Sequence, residues 1–180
     1  MKSQVLLFNK PYGVLSQFTG ETGQRTLADY IDRSGFYAAG RLDKDSEGLL
    51  LLTDKGRLQQ CIAEPQFKTA KTYQAQVEHE ISGAAIDALA AGVKLKDGLT
   101  RPAQVRLIDP PSIWQRDPPI RERKFISTSW IEIVLTEGKN RQVRRMTAAV
   151  GFSTLRLIRI QIGEWSLGSL QPGEWELTES

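Results

Sequence analysis

The sequence predicts an α+β fold with a largely antiparallel sheet. Three observations carry this. Short apolar or alternating runs recur along the chain, set apart by Gly and Pro. Only a few segments place apolar residues at helical spacing. Strands and helices do not follow the regular βα alternation of a parallel sheet.

The elements follow in chain order. Residues 5–8 read as a short buried strand stopped by Pro11 and Gly13, and Val14-Leu15 resumes it. Gly20 and Gly23 mark a loop. Thr26 is placed to cap a helix with Leu27, Tyr30 and Ile31 on its inner face, ending near Gly35. Residues 49–53 form a compact apolar run between Gly48 and Asp54-Lys55-Gly56, the pattern of a buried strand. Leu58, Cys61 and Ile62 suit one face of a helix that Pro65 stops.

Residues 71–78 alternate, with Tyr73, Ala75 and Val77 on one face of a strand. Ser82 is an N-cap for a helix through Ile86 and Leu89 that Gly92 ends. Residues 93–95 and 105–108 read as strands. Pro110-Pro111 and Pro118-Pro119 bracket a loop. Ile131, Ile133 and Leu135 alternate in a strand ending at Gly138. Asn140 then caps a helix from residue 141 to about 150. Val143, Met146, Thr147 and Val150 share its inner face; Arg141, Arg144, Arg145 and Ala148 share another. Residues 155–162 form a long strand. Trp165, Leu167, Leu170 and Trp175 suggest a closing strand and a turn around Pro172-Gly173.

The chain has 180 residues, of which 40% are hydrophobic, enough for one sizeable domain or two small lobes sharing a core. Its net charge is only +3, but the charge is uneven. From residue 121 to residue 159 nine basic residues face three acidic ones, and the rest of the chain is net acidic. A concentrated positive field suits a polyanion such as nucleic acid; the alternative is a solvated basic surface. One cysteine, Cys61, and one histidine, His79, exclude an internal disulfide and fall short of a zinc ligand set. No apolar run approaches membrane-spanning length, so a cytoplasmic protein is expected.

Three clusters are candidates for chemistry. In Arg41-Leu42-Asp43-Lys44-Asp45-Ser46-Glu47-Gly48 three carboxylates stand at alternate positions before a buried strand. The plain reading is a polar turn whose charges pair in solvent. A calcium loop is a loose fit, weakened by the strand-like leucines that would fill its second half. The chemical reading is a carboxylate nucleophile held ionised by a nearby cation. Spacing does not say which acid acts. Lys71 and Tyr73 share a strand face, so a tyrosine can stack on a base while the lysine meets a phosphate; the alternative is a core tyrosine beside an edge lysine. Lys139-Asn140-Arg141-Gln142-Val143-Arg144-Arg145 opens a helix with several arginines on one face, which suits phosphate or a solvated basic face. Phosphate cradles of the Walker or Rossmann type are absent.

Taken in order along the chain, several motifs resemble the RsuA-type RNA pseudouridine synthases. Asn9-Lys10-Pro11-Tyr12-Gly13-Val14 is similar to that family's opening motif. Gly40-Arg41-Leu42-Asp43-Lys44-Asp45-Ser46-Glu47-Gly48 with the following leucines is similar to its catalytic motif. Lys71-Thr72-Tyr73, the segment from Glu137 to Met146, and Leu155-Arg156-Leu157-Ile158-Arg159 are similar to its later motifs. The stretch from Pro118 to Lys124 resembles the members acting on large-subunit ribosomal RNA.

The resemblance implies a long mixed, mostly antiparallel sheet with flanking helices and a central RNA-binding cleft. It implies one catalytic domain over residues 1–180, two lobes sharing one sheet, without the S4 domain many relatives carry. Asp43 would be the nucleophile that converts a uridine of large-subunit ribosomal RNA to pseudouridine. Tyr73 would stack on the target base, Lys139 would pair with Asp43, Arg41 would help hold the nucleotide flipped out, and Leu157 would pack near the base. Lys10, Lys71, Arg121, Arg123, Lys124, Arg141, Arg144, Arg145 and Arg156 would contact RNA. No cofactor or metal is implied, because the reaction is an isomerisation. A monomer with no obligate protein partner is expected. The competing reading is a non-catalytic RNA-binding module on the same fold.

Overall fold

The computed structural model describes residues 2–179. In chain order its elements are β1 (Gln4–Lys10), β2 (Tyr37–Ala38), β3 (Glu47–Thr53), α1 (Gly56–Ala63), β4 (Lys71–Glu78), α2 (Gly83–Ala91), β5 (Lys94–Leu95), β6 (Gly98–Leu99), β7 (Gln104–Ile108), β8 (Thr128–Leu135), α3 (Gln142–Ala149), β9 (Thr154–Ile162), β10 (Trp165–Ser166) and β11 (Trp175–Glu179). The α+β class expected from the sequence is the class observed. Two compact units divide the chain. The first holds the residues up to Thr69 and those from Arg159 onward; the second runs Ala70–Ile158.

In the first unit β1 is the middle strand, paired antiparallel with β11 on one side and β3 on the other. β2 pairs with the end of β3, and β10 pairs with β9. β3 is buried from end to end, and Leu49, Leu50, Leu51 and Leu52 are wholly inaccessible. Each leucine so enclosed contributes roughly 1.5–3 kcal/mol over an exposed one. Leu6, Phe8, Leu27, Ile31, Phe36, Leu42, Leu50 and Leu52 form the core of this unit. Leu42 in that set plugs the polar loop into the core beside Asp43.

In the second unit β8 is central, with β4 and β7 antiparallel on its two sides. Ala75, Val77, Ile81, Ala85, Leu89, Ile131, Ile133, Leu135, Val143, Met146 and Leu157 make its core. The alternation of β4 and β8 points one face of each strand inward, and the apolar face of α2 packs with them. Ser82 caps α2, its hydroxyl accepting from the Ala85 amide at 3.1 Å. Gly92 ends that helix at φ 114°, where a side chain would strike the Thr100 carbonyl.

Two expectations change. The helix from Thr26 shrinks to one 3-10 turn, Leu27–Asp29, closed by a capping box between Thr26 and Asp29. Three apolar residues do not sustain a longer helix against the cost of nucleation. The helix after residue 140 starts one residue later than expected. Arg141, not Asn140, stands at its cap in the left-handed region, φ 50°, with no side-chain cap. Its first turn is held from within the motif: the Gln142 side chain accepts from the Lys139 amide at 3.0 Å and donates to buried Glu137 at 2.7 Å.

Candidate active site

In the first unit the segment from Gly40 to Leu49 is held by its backbone at four points. At one end the Arg41 carbonyl accepts from Arg159 Nη1 at 3.3 Å. Next, the buried Ser16 hydroxyl accepts from the Leu42 amide at 3.0 Å and donates to the Leu42 carbonyl. In the middle, the Lys44 carbonyl accepts from the Gly13 amide at 2.7 Å and from Lys10 Nζ at 3.4 Å. At the far end the Leu49 carbonyl accepts from Arg159 Nε at 2.8 Å. Asp43 sits inside this frame, and its own carbonyl closes a turn by accepting from the Ser46 amide at 2.9 Å.

The three acids of the loop are not equivalent. Glu47 is buried as the first residue of β3, whereas Asp43 and Asp45 are half-buried. Arg41 is exposed, with its guanidinium 3.3 Å from the Gln17 side-chain oxygen. The loop leads into a strand, so the geometry of a calcium loop between two helices is not realised.

Lys10 departs from the expectation of RNA contact. It is fully buried, and its ammonium donates to the carbonyls of Pro11 at 2.9 Å, Val14 at 2.8 Å and Lys44. Burial lowers its pKa to about 7; Glu47, Asp45 and Asp43 oppose that shift, and Arg159 adds to it. A lysine enclosed this way braces a loop and cannot reach a phosphate on the surface.

In the second unit Tyr73 lies on β4 opposite Ile133 and packs, half-buried, on the core that contains Leu157. Lys71, two residues back on the same face, lies opposite Leu135. Lys139 directs its ammonium at the Asp97 carbonyl, 3.4 Å away. Arg145 forms a two-pronged pair with the Asp97 carboxylate at 2.7 and 3.1 Å. That hydrogen bond holds the Asp97 carboxyl below its ordinary range and raises Arg145. Arg141 is exposed and Arg144 half-buried.

Arg156 also departs from expectation. It is buried, donates to the Trp114 carbonyl at 2.9 Å and stacks over the Trp114 ring at 5.8 Å. Its charge fastens the 109–127 loop to β9, and the little of it that stays accessible lines a cavity of about 410 Å³ with Gln115, Arg116 and Pro119. Arg121, Arg123 and Lys124 are exposed as expected, on the wall of a cavity of about 620 Å³ that Gln76, Glu78 and Leu155 also line. Sequence reading passed over Ser16, and gave no individual role to Glu137, Gln142 or Arg159 although it singled out the motifs that hold them. Only the order of motifs around them gave a signal, since each is a common residue type with no distinctive spacing. Asp43 and Arg41 belong to the first unit; Tyr73, Lys139 and Leu157 belong to the second.

The chain belongs to the RNA pseudouridylate synthase family, which its residues 4–149 match. It is therefore an RNA pseudouridine synthase, an isomerase. It is similar to ribosomal large subunit pseudouridine synthase E of Vibrio parahaemolyticus, 54% identical over 173 residues that cover 96% of this chain and 73% of that protein. The protein of the same name from Xanthomonas campestris is 54% identical over 179 residues, covering 98% and 96% of the two chains. Among solved structures, a crystal structure of a pseudouridylate synthase matches with a TM-score of 0.80 at 28% identity, covering 99% of this chain and 71% of that one. Among the described residues no helix is long and apolar enough to cross a membrane.

Proposed function

We propose that this chain converts a uridine of large-subunit ribosomal RNA to pseudouridine, with Asp43 as the nucleophile. The observation that carries the reading is the similarity to the two large-subunit synthases over nearly the whole chain. The braced loop is consistent with it. A nucleophile must be held in one geometry, and backbone hydrogen bonds on both sides of Asp43 do that. The carboxylate attacks the uridine at the sugar C1′ or at C6 of the base. The bond from C1′ to N1 breaks, the base rotates, and C1′ rejoins it through C5; C5 then loses its proton, N1 gains one, and the bond to the carboxylate breaks to release the product. Nothing is oxidised or added, so the chemistry calls for no redox cofactor.

The target base must leave its helix to reach the carboxylate. Arg41, exposed beside the loop, suits the work of holding that nucleotide out, and Tyr73 suits stacking on the base. Leu157 belongs to the buried apolar core against which Tyr73 packs, which suits a place near the base. Lys139 keeps the role that the resemblance gives it, and Arg144 and Arg145 keep theirs toward the RNA backbone. Exposed Arg121, Arg123, Lys124 and Arg141, together with Lys71, are assigned to the RNA backbone.

Asp43→Asn tests the reading. It should abolish pseudouridine formation in ribosomal RNA, measured by mapping the modified position, while folding and RNA affinity stay near wild type. Activity close to wild type in that variant sinks the assignment. An inactive wild-type chain that still binds the RNA would instead point to a non-catalytic binding module.

A further inference from the structure

We infer that Arg159 is a positioning residue for the reaction, tying together the two ends of the loop that carries Asp43. The inference rests on the reading of Asp43 as nucleophile.

The geometry is specific. Arg159 is buried on β9 with about 3% of its surface accessible. Its Nε donates to the Leu49 carbonyl at 2.8 Å and its Nη1 to the Arg41 carbonyl at 3.3 Å. One planar guanidinium therefore bridges residues 41 and 49, the first just before Asp43 and the second just after the loop turns into β3. The backbone of Arg159 completes the grip. Gly48, at φ 107°, lies so close to it that a Cβ there would collide with the Arg159 carbonyl. The loop mouth is thus fixed by one residue through both its main chain and its side chain.

The fold by itself gives little reason for a cation at this place. Neighbouring Leu157 and Ile158 on the same strand are buried and apolar. The third nitrogen, Nη2, is buried and has no hydrogen-bond partner among the described residues. A guanidinium enclosed with an unused donor is a costly way to fill space, and an apolar side chain of similar volume often serves a core as well. What an apolar residue lacks is a rigid fork that holds two carbonyls at a set separation. Lysine lacks it too, since its ammonium is a single point of attachment.

Ser16 works on the same loop from the other side, bonding both the amide and the carbonyl of Leu42. The two residues have different jobs. Ser16 fixes the residue next to Asp43, and Arg159 fixes the span that residue belongs to.

The test compares Arg159→Lys, Ser16→Ala and Asp43→Asn with wild type in single-turnover assays on large-subunit ribosomal RNA. RNA affinity, thermal unfolding and amide hydrogen exchange of residues 41–49 are measured alongside. Arg159→Lys should lose at least roughly tenfold in the single-turnover rate constant at a temperature well below its unfolding midpoint, with RNA affinity within about twofold of wild type. The amides of Leu42 and Ser46 should exchange faster than in wild type. A merely structural role predicts a lowered unfolding midpoint with an unchanged rate constant for the folded fraction, and that result overturns the inference. If Arg159→Lys fails to fold, Ser16→Ala decides: faster exchange at Leu42 together with a slowed rate supports positioning through the braced loop, and a wild-type rate overturns it. Activity in Asp43→Asn instead removes the underlying reading of the nucleophile.

Discussion

Lys10 makes a measurable demand on the pH dependence of stability. Its pKa in the folded protein is about 7, against an ordinary 10.5, because burial withholds water from the ammonium. The unfolded chain therefore binds this proton more tightly than the native protein does. Below about pH 7 both states are protonated, and the native state carries the whole cost of the buried charge. Above the ordinary lysine pKa both are neutral and the cost is gone. Stability contributed at this site must accordingly rise with pH from about 7 to about 10.5. Between about pH 7 and about pH 9 the difference in proton binding comes to about 2 kcal/mol. For a chain of this size that corresponds to roughly 4–8 °C in the unfolding midpoint. Other groups titrate in the same window, so the measurement is differential: thermal unfolding of wild type and Lys10→Met at matched pH values. The variant leaves the Pro11 and Val14 carbonyls without this donor and is less stable overall. Its midpoint should nevertheless lack the upward slope that wild type shows. Parallel curves for the two proteins would refute the claim that a buried lysine titrates near neutrality.

Tyr73→Ala should lose base stacking of about 1–3 kcal/mol, read as a fall of roughly five- to 150-fold in kcat/KM on ribosomal RNA. Unchanged turnover would take Tyr73 out of the site. Lys139→Met should lower the turnover rate on ribosomal RNA while the fold stays intact, and unchanged turnover would take Lys139 out of the site. Gly48→Ala combines a positive φ with a collision against the Arg159 backbone, so it should destabilise by more than about 1–3 kcal/mol in urea unfolding. A stable variant would mean that the loop and β9 separate more readily than this packing implies.

Much of the architecture is a local matter and was legible along the chain. Four consecutive leucines between Gly48 and Thr53 are apolar on both faces of any strand, so β3 had to be buried. Ser82 and Gly92 delimit α2 by backbone chemistry that acts within a few residues. Alternation put Lys71 and Tyr73 on one face whatever the rest of the fold did. The candidate site was legible mainly as a succession of motifs. Spacing left Asp43, Asp45 and Glu47 equivalent, and the surrounding motifs singled out Asp43.

Only the tertiary structure decided which charges are buried and what they hold. Lys10 and Arg156 look like surface cations in sequence, because lysine and arginine are seldom enclosed without partners. Besides the nearby Pro11 and Val14 carbonyls, Lys10 meets the Lys44 carbonyl 34 residues away, and Arg156 meets the Trp114 carbonyl 42 residues away. Arg159 reaches carbonyls 110 and 118 residues earlier. Asp97 takes Arg145 and the Lys139 ammonium across more than 40 residues. Periodicity reports which way a side chain points from its own element, and it carries no record of the distant carbonyl or carboxylate that will meet it there. The composition of the loop around Asp43 was therefore set by local sequence, while its rigidity came from residues that only the folded chain brings to it.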